Sequence, residues 1–271
     1  MRSAGPVLVV AGNTYREVGR DRMLHLLGAL VAGFVLFSWV LGWLNPEEND
    51  QVRHLVDFGL AGVNLFGLLM AVFLGASLLR REMERRTLYT VLSREVTRPQ
   101  FVVGKYLGLL GIFATGLASV ALFMVGYFAI FGAMTAKAPA GAEIHRGLAL
   151  VEAIYGNLLE IAVITAASVL FGSFTTPAIA ALGTVTLYIT GHGTETLLDY
   201  LRLTGNEALA VPFQAIYYVF PNLSDFNYRE YAAFGDVVPL RTLGFATGYA
   251  VLWVGILLGA AALLFRRREL P

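Results

Sequence analysis

Apolar residues in this chain are gathered into runs of about twenty, and this clustering constrains the fold more than any other feature. A helix of about 20 residues rises about 30 Å, which matches the hydrocarbon core of a bilayer. Only 14% of the 271 residues are charged, whereas soluble domains carry about 25%. The sequence therefore predicts an all-α integral membrane protein, with residues 1–271 forming a single transmembrane domain in contact with the lipid bilayer.

Six apolar windows are long enough to cross the membrane. They lie at about 24–44, 58–79, 105–134, 148–172, 175–192 and 240–265. Basic residues precede the first window, follow the second and follow the last, whereas acidic residues dominate the opposite loops. By the positive-inside rule, we expect a multi-pass protein of the plasma (inner) membrane with both termini in the cytoplasm. A five-span arrangement would leave the basic C-terminal end outside.

The sequence contains no pattern that supports redox, metal or ATP chemistry. The chain contains no cysteine, which excludes disulfides and cysteine-based catalysis. His25 and His192 fall at span ends without a second ligand at metal spacing, so no metal site is predicted. Gly104-Lys105 lacks the spacing and the Ser or Thr of a Walker A sequence, which occurs nowhere in the chain. We expect neither an enzyme nor a bound cofactor, and no nucleic acid partner.

Residues 7–20 form an amphipathic pattern at helical spacing. Such a helix either lies flat in the cytoplasmic headgroup layer or extends the first span into water. Its apolar face carries Val7, Val10, Ala11, Thr14 and Val18.

Two pairs of glycines stand four residues apart, Gly104 with Gly108 and Gly244 with Gly248. This spacing lets helix backbones approach closely. It therefore predicts packing against a partner helix, including a helix of a second copy.

The cytoplasmic stretch 80–98 predicts a short amphipathic helix after the second span. Charged residues occupy its polar faces. The apolar stripe carries Met83, Thr87, Leu88, Val91 and Leu92. This stripe either docks on a cytoplasmic protein or lies on the membrane, where the arginines would contact anionic lipids.

Residues 82–98, followed by Gly104-Lys105, resemble the cytoplasmic loop of type-2 ABC exporter permeases. In that family an E-x-E-x-x-T-L-x-x-x-L-S-R pattern forms the helix that docks on the ATPase. The resemblance assigns ATPase coupling to Glu82, Glu84, Arg85, Arg86, Thr87, Leu88, Leu92, Ser93 and Arg94. Residues 13–22 are similar to the family's amphipathic N-terminal helix, and residues 265–270 resemble its basic C-terminal ending. The segment 220–227 looks most like the branch for multicopper-enzyme maturation, which includes the nitrous-oxide-reductase maturation permease.

The resemblance implies the permease subunit of an ATP-driven exporter. Two permeases, identical or different, would form the translocation path on two separate ATPase subunits, which would bind ATP and Mg. ATP would move the coupling helices as rigid levers. The resemblance also implies short re-entrant helices before the last span. The residues alone allow 208–220 to be either such a pair or an anchor in the outer membrane surface.

Three polar residues lie inside the predicted fourth span. Glu160 is near its middle, where a charged carboxylate is costly and so a functional candidate. Successive residues of a helix are rotated by about 100°, which places Glu152 and Asn157 close to the face of Glu160. The stripe predicts a candidate path for substrate or protons. Alternatively, Glu160 hydrogen-bonds a neighbouring helix, such as the one that carries Thr184, Thr186 and Thr190.

Two further classes of function fit parts of the pattern. A non-transporting scaffold would use residues 80–98 to recruit a cytoplasmic partner other than an ATPase. A secondary transporter would be driven by an ion gradient through Glu160, but it predicts two similar halves, and no convincing internal repeat is present. An intramembrane enzyme fits worst, because the spans contain no reactive cluster.

Overall fold

The computed structural model describes residues 4–22, 48–84, 96–135, 142–204 and 217–267, with isolated positions between these ranges. These ranges contain helices and no strand, which confirms the all-α prediction. A single 3₁₀ turn, Ser224–Phe226, precedes α6. The helices are α1 (Ala4–Gly19), α2 (Glu48–Glu84), α3 (Arg98–Thr135), α4 (Ala142–Phe174), α5 (Pro177–Leu203), α6 (Arg229–Phe234) and α7 (Leu240–Arg267).

Four of the described helices are long and apolar enough to cross a bilayer. They confirm the second, third, fourth and sixth predicted spans. The first predicted span, 24–44, falls almost wholly outside the described residues, and the fifth, 175–192, corresponds to the first part of α5. Both remain predictions as membrane spans. The four apolar stretches are Val56–Leu78, Arg98–Gly126, Gly147–Phe174 and Leu240–Phe265.

The prediction that an outer loop begins at residue 193 is wrong. α5 continues to Leu203, because the polar residues that interrupt the hydropathy of this stretch fall on one side of a helix. On the other side, Thr194, Leu198 and Leu201 recur at helical spacing and are buried. A hydropathy average cannot separate the two sides of a helix.

α4 is the central helix of the bundle. Within its apolar stretch 78% is buried inside the protein, against 33% for α3 and 28% for α7. α2 packs along it closely: a Cβ on Gly75 would lie 2.8 Å from the Cβ of Ser168, and a Cβ on Gly172 would lie 3.0 Å from the carbonyl oxygen of Ala76. Ser168 Oγ also donates to the carbonyl of Val72 at 3.3 Å. Side chains between α2 and α4 are therefore within hydrogen-bonding reach.

α1 packs against the first turns of α3. Val10 and Thr14, which belong to the predicted apolar face of α1, are buried. A Cβ on Gly104 would lie 2.7 Å from the Cβ of Val10, and a Cβ on Gly108 would lie 2.5 Å from the carbonyl oxygen of Ala11. The first glycine pair is therefore packed against the chain's own N-terminal helix.

The second glycine pair lies on the outside of the bundle. No atom lies within 4 Å of the positions that a Cβ on Gly244 or Gly248 would take. The neighbouring side chains of Phe245 and Val251 are 67% and 66% exposed. This face of α7 therefore has no partner among the described residues.

Candidate functional site

Glu160 lies between three helices and both of its carboxylate oxygens have partners. Its side chain, from α4, is 1% exposed. Oε1 lies 2.8 Å from Nε2 of His192 on α5. Oε2 accepts a hydrogen bond from Nδ2 of Asn64 on α2 at 2.7 Å. These contacts connect the three helices through a single buried carboxyl group.

Tyr188 completes this polar group one turn before His192. Its hydroxyl donates to Oδ1 of Asn64 at 3.2 Å, and its ring meets the imidazole edge to face, with centroids 4.6 Å apart. Asn64 therefore accepts from Tyr188 and donates to Glu160, which determines the orientation of its amide. Below, Asn64, Glu160, Tyr188 and His192 are called the Glu160 cluster.

The structure places the hydrogen-bonding partner of Glu160 on the helix that the sequence suggested, but on different residues. The hydroxyls of Thr184 and Thr186 donate to carbonyls of α5 itself, at 2.8 and 2.9 Å. Such back-bonding to the preceding turn is common for threonine in helices. His192, which the sequence placed at a span end, makes the contact instead.

The other two residues of the predicted polar stripe lie apart from the cluster. Glu152 Oε2 accepts from the backbone N–H of Val238 at 2.7 Å, which anchors the segment that leads into α7. Asn157 is 6% exposed, and its Nδ2 has no hydrogen-bond partner among the described residues. Within the same residues, no three His, Cys, Asp or Glu side chains are grouped so that they could hold a metal ion.

Residues 220–234 fold back onto the helices of the cluster; we call them the outer cap, after the side of the membrane on which the sequence predicts them. The N–H of Leu223 donates to the carbonyl of Gly191 at 3.2 Å. Ser224 Oγ donates to the carbonyl of His192 at 3.4 Å. α6, which is part of the cap, contacts both α2 and α4. The outer cap therefore rests on the same three helices that the Glu160 cluster connects.

Two glycines let the outer cap approach this closely. A Cβ on Gly191 would lie 2.8 Å from the carbonyl oxygen of Pro221, and a Cβ on Gly156 would meet the carbonyl of Phe226. Any larger residue at these positions would lift the cap away from α4 and α5.

Charged and amide groups attach the outer cap at its edges. Asn222 Nδ2 donates to Oε2 of Glu195 at 3.1 Å. Arg229 Nε lies 3.8 Å from Oδ1 of Asp57 on α2. Burial and, secondly, the nearby Glu195 carboxylate raise the pKa of Asp225. The cap is therefore bound to α2 and α5 by polar contacts as well as by packing.

At the opposite end of the bundle, the start of α3 is held between α1 and α7. Lys105, 4% exposed, places Nζ 3.2 Å from Oε2 of Glu17 on α1. Arg98 Nη1 donates to the carbonyl of Phe265 on α7 at 3.2 Å. The rings of Phe101 and Phe265 stack with centroids 6.5 Å apart. We call these contacts the α3 clamp. Residues 80–98 lead directly into it.

A protein-family model, described as ABC-2 family transporter protein, matches residues 8–270, almost the whole chain. The chain belongs to the ABC-2 transporter family. This membership makes it a multi-pass membrane component of a transport system and confirms the coarser part of the resemblance seen in the sequence. The family generally works with an ABC ATPase. A comparison with curated proteins finds no match.

The ATPase-coupling residues predicted for this ABC-2 family chain fall at the edge of the described structure. Glu82 and Glu84 lie in the last turn of α2. The remaining residues lie outside the described ranges, namely Arg85, Arg86, Thr87, Leu88, Leu92, Ser93 and Arg94. Their coupling role remains a prediction.

Sequence reasoning found Glu160 but missed the residues that surround it. Asn64 carries a detectable signal, because it is a lone amide within an otherwise apolar run of α2. His192 and Tyr188 carry a weaker one, since aromatic and histidine side chains are ordinary near span ends. Their role becomes visible only when α2, α4 and α5 are brought together.

Proposed function

We propose that this chain is the membrane-spanning permease subunit of an ATP-driven ABC exporter. In this proposal both termini face the cytoplasm, and the stretch 80–98 receives the movement of a separate ATPase, which binds ATP and Mg. The observation that carries the proposal is the family match over residues 8–270. We further propose a role in metalloenzyme assembly, because residues 220–227 resemble the multicopper-enzyme maturation branch.

The α3 clamp supports a lever mechanism. The residues that immediately follow the coupling stretch bind α1 through Lys105 and α7 through Arg98 and Phe101. Since packed interfaces transmit displacement rather than absorb it, a push on residues 80–98 would move the cytoplasmic ends of three helices together. We propose that this movement opens the translocation path.

The open glycine pair on α7 supports assembly with a second permease. Among the residues that the structure describes, Gly244 and Gly248 have no neighbour within 4 Å of a Cβ position, and small residues at this spacing allow close helix packing in membranes. We propose that α7 meets its counterpart in a second copy of this chain. A heterodimer would use the same face against a related permease.

Of the three residues predicted to line a path, we propose that Glu160 takes part in the transport cycle. It connects α2, α4 and α5, whose relative movement would change the path between them. Replacing Glu160 by Gln should abolish transport in reconstituted vesicles if the carboxyl group is needed. Unchanged transport would leave Glu160 as a structural hydrogen-bonding group, together with Glu152 and Asn157.

The decisive experiment identifies what the protein binds in its native membrane. Tagged chain, purified in mild detergent, should bring an ATP-binding-cassette ATPase with it, and Leu88→Asp with Leu92→Asp should lose that ATPase. The matched control is Val237→Asp with Leu240→Asp. These two positions are exposed and lie, in this proposal, on the opposite side of the membrane, so ATPase recovery should not change.

Each outcome separates the function classes. An intact, monodisperse permease without any ATPase would reject the exporter assignment and favour a scaffold or a gradient-driven transporter. Transport that continues after deletion of the ATPase would select the gradient-driven transporter.

A further inference from the structure

The Glu160 cluster contains a buried ionisable pair, and among the described residues no arginine or lysine pairs with it. Glu160 is 1% exposed, and within the described residues its only ion-pair partner is His192. A net charge is costly in such a buried position. A carboxylate beside a neutral imidazole carries a net negative charge. One additional proton neutralises the pair.

That proton can reside on either partner. An imidazolium beside a carboxylate and a carboxylic acid beside an imidazole hold the same number of protons, so the additional proton belongs to the pair rather than to one residue. The contact of 2.8 Å between Nε2 and Oε1 accommodates both arrangements. The pair is therefore a site for one exchangeable proton.

The elements around the pair supply neutral hydrogen-bonding groups at its level and charged groups nearer the outer surface. The neutral groups are the amide of Asn64 and the hydroxyl of Tyr188. Arg229 of the outer cap, whose charge acts on Tyr188, is paired with Asp57 of α2. Further carboxylates near the outer surface include Glu152, Glu195 and Asp225, together with the exposed Asp199, Glu230 and Asp236.

His192 links this proton site to the outer cap. Its side chain is 26% exposed and contacts Glu160, whereas its backbone carbonyl accepts from Ser224. The preceding carbonyl, of Gly191, accepts from Leu223, which is fully buried. Lifting the cap would break both hydrogen bonds, admit water to the imidazole and then hydrate the carboxylate behind it.

We propose that the Glu160–His192 pair is a proton-binding site that holds the outer cap closed. With the cap closed, the pair binds its additional proton. With the cap open, water solvates the carboxylate, and the proton leaves through the exposed side of His192 into the outer solution. Since opening releases one proton, the open population rises with pH by at most about tenfold per pH unit. The cap thereby responds to the pH of the compartment that it faces, whether or not an ATPase is bound.

The absence of cysteine allows a direct test on the full-length chain in lipid nanodiscs. Leu223→Cys places a thiol at a position that is 0% exposed in the closed cap, and its labelling by a maleimide reports opening. Glu230→Cys places a thiol at an exposed position of the same cap. The ratio of the two labelling rates removes the effect of pH on thiol ionisation.

When the pH is varied between about 5 and about 8, the interval in which histidine side chains change charge, we expect this ratio to rise about three- to tenfold per pH unit over at least one unit. Glu160→Gln keeps a hydrogen-bonding side chain but has no proton to release, so the ratio should become flat. Glu152→Gln, the same change on the same helix, should keep the pH dependence, as should Asp225→Asn. The proposal would be overturned if the labelling ratio did not change with pH while Glu160 and His192 are intact. It would also be overturned if Glu160→Gln left the pH dependence of the ratio undiminished.

A second measurement needs no change at Glu160. The chain has four histidines, so the ¹⁵N-imidazole signal of His192 can be identified by its loss in His192→Gln. This signal should change with pH over the same interval as the labelling ratio. A cap that opens while neither this signal nor the ¹³C-carboxyl signal of Glu160 changes would refute proton release from the pair.

Discussion

The two glycine pairs of this ABC-2 family protein have identical spacing but opposite surroundings. The space beside Gly104 and Gly108 is filled by Val10, Ala11 and Thr14 of the chain's own N-terminal helix. Within the described part of the chain, no neighbouring helix comes within 4 Å of a Cβ position on Gly244 or Gly248. Spacing therefore reports that two helices can approach closely, whereas the surrounding fold determines which helix occupies the groove. A pair left open within one chain is the better candidate for contact with another.

The largest effect on the folded chain is expected from Gly108→Ala. The added Cβ would lie 2.5 Å from the carbonyl oxygen of Ala11 and 2.6 Å from the Cβ of Thr14, so α1 would have to move away from α3. Overpacking of this kind costs about 1–3 kcal/mol. Unfolding in detergent should show it as a lower Tm. Gly116→Ala on the same helix meets no atom within 4 Å and should not lower the Tm. Equal losses in both variants would contradict packing against α1.

The next effect concerns the open pair. Gly244→Leu combined with Gly248→Leu should prevent close approach of a second copy and raise the dissociation constant of the permease dimer by at least about tenfold, equivalent to about 1.4 kcal/mol. Fluorescence energy transfer between labelled copies in vesicles would measure it. Gly104 and Gly108 cannot serve as the control, because their replacement disturbs α1. Leu263→Ala, at an exposed position of α7, offers one. An unchanged dissociation constant would indicate that the open glycine pair faces lipid and not a second copy.

A smaller effect separates glycine packing from charge in the attachment of α1. Lys105→Met keeps the buried stem of the side chain but removes the ion pair with Glu17, whose side chain is 45% exposed. Ion pairs with an exposed partner contribute about 0–1 kcal/mol, so the loss of stability should be below that of Gly108→Ala. High salt screens the ion pair, so it should lower the Tm of the unaltered protein until it approaches that of the variant. A loss larger than that of Gly108→Ala would make the ion pair the dominant attachment.

The smallest effect is expected from Gly244→Ala. The added methyl group meets no neighbour within 4 Å, and alanine is favoured over glycine in helices by about 1 kcal/mol in water. The unfolding of the monomer should therefore be unchanged or slightly more resistant to heat. A loss of stability comparable with Gly108→Ala would show that the chain itself covers this face.

The sequence was sufficient for the parts of the fold that interact with lipid. The spans at 58–79, 105–134, 148–172 and 240–265 are confirmed, because hydropathy measures the transfer of a helix into lipid. It failed at residues 193–203, where helical stability comes from an inward face rather than from mean hydropathy. The same limitation explains why α1 was recognised as a helix while its contact with α3 was not identified.

The candidate site was only partly predictable. Glu160 could be found from its position in the middle of an apolar run, since a carboxylate there is costly and is a candidate for a functional role. Its partners Asn64 and His192 are 96 and 32 residues away along the chain, and nothing in the local pattern of either position indicates the other. Packing of α2 and α5 on α4 determines this cluster, and periodicity within one helix does not report it.

The short connection between α4 and α5 has a consequence for how the protein is made. α4 ends at Phe174 and α5 begins at Pro177, so the two leave the ribosome as one hairpin. Alone, α4 would present Glu160 to lipid, which opposes insertion by about 2.5–3.5 kcal/mol on translocon scales. Asn64 of α2, made earlier, can bind one carboxylate oxygen, and the arrival of His192 supplies the partner of the other and lowers this penalty. Chains truncated after residue 176 should therefore insert α4 less efficiently in microsomes than chains truncated after residue 204. We therefore expect α4 and α5 to insert as a single unit.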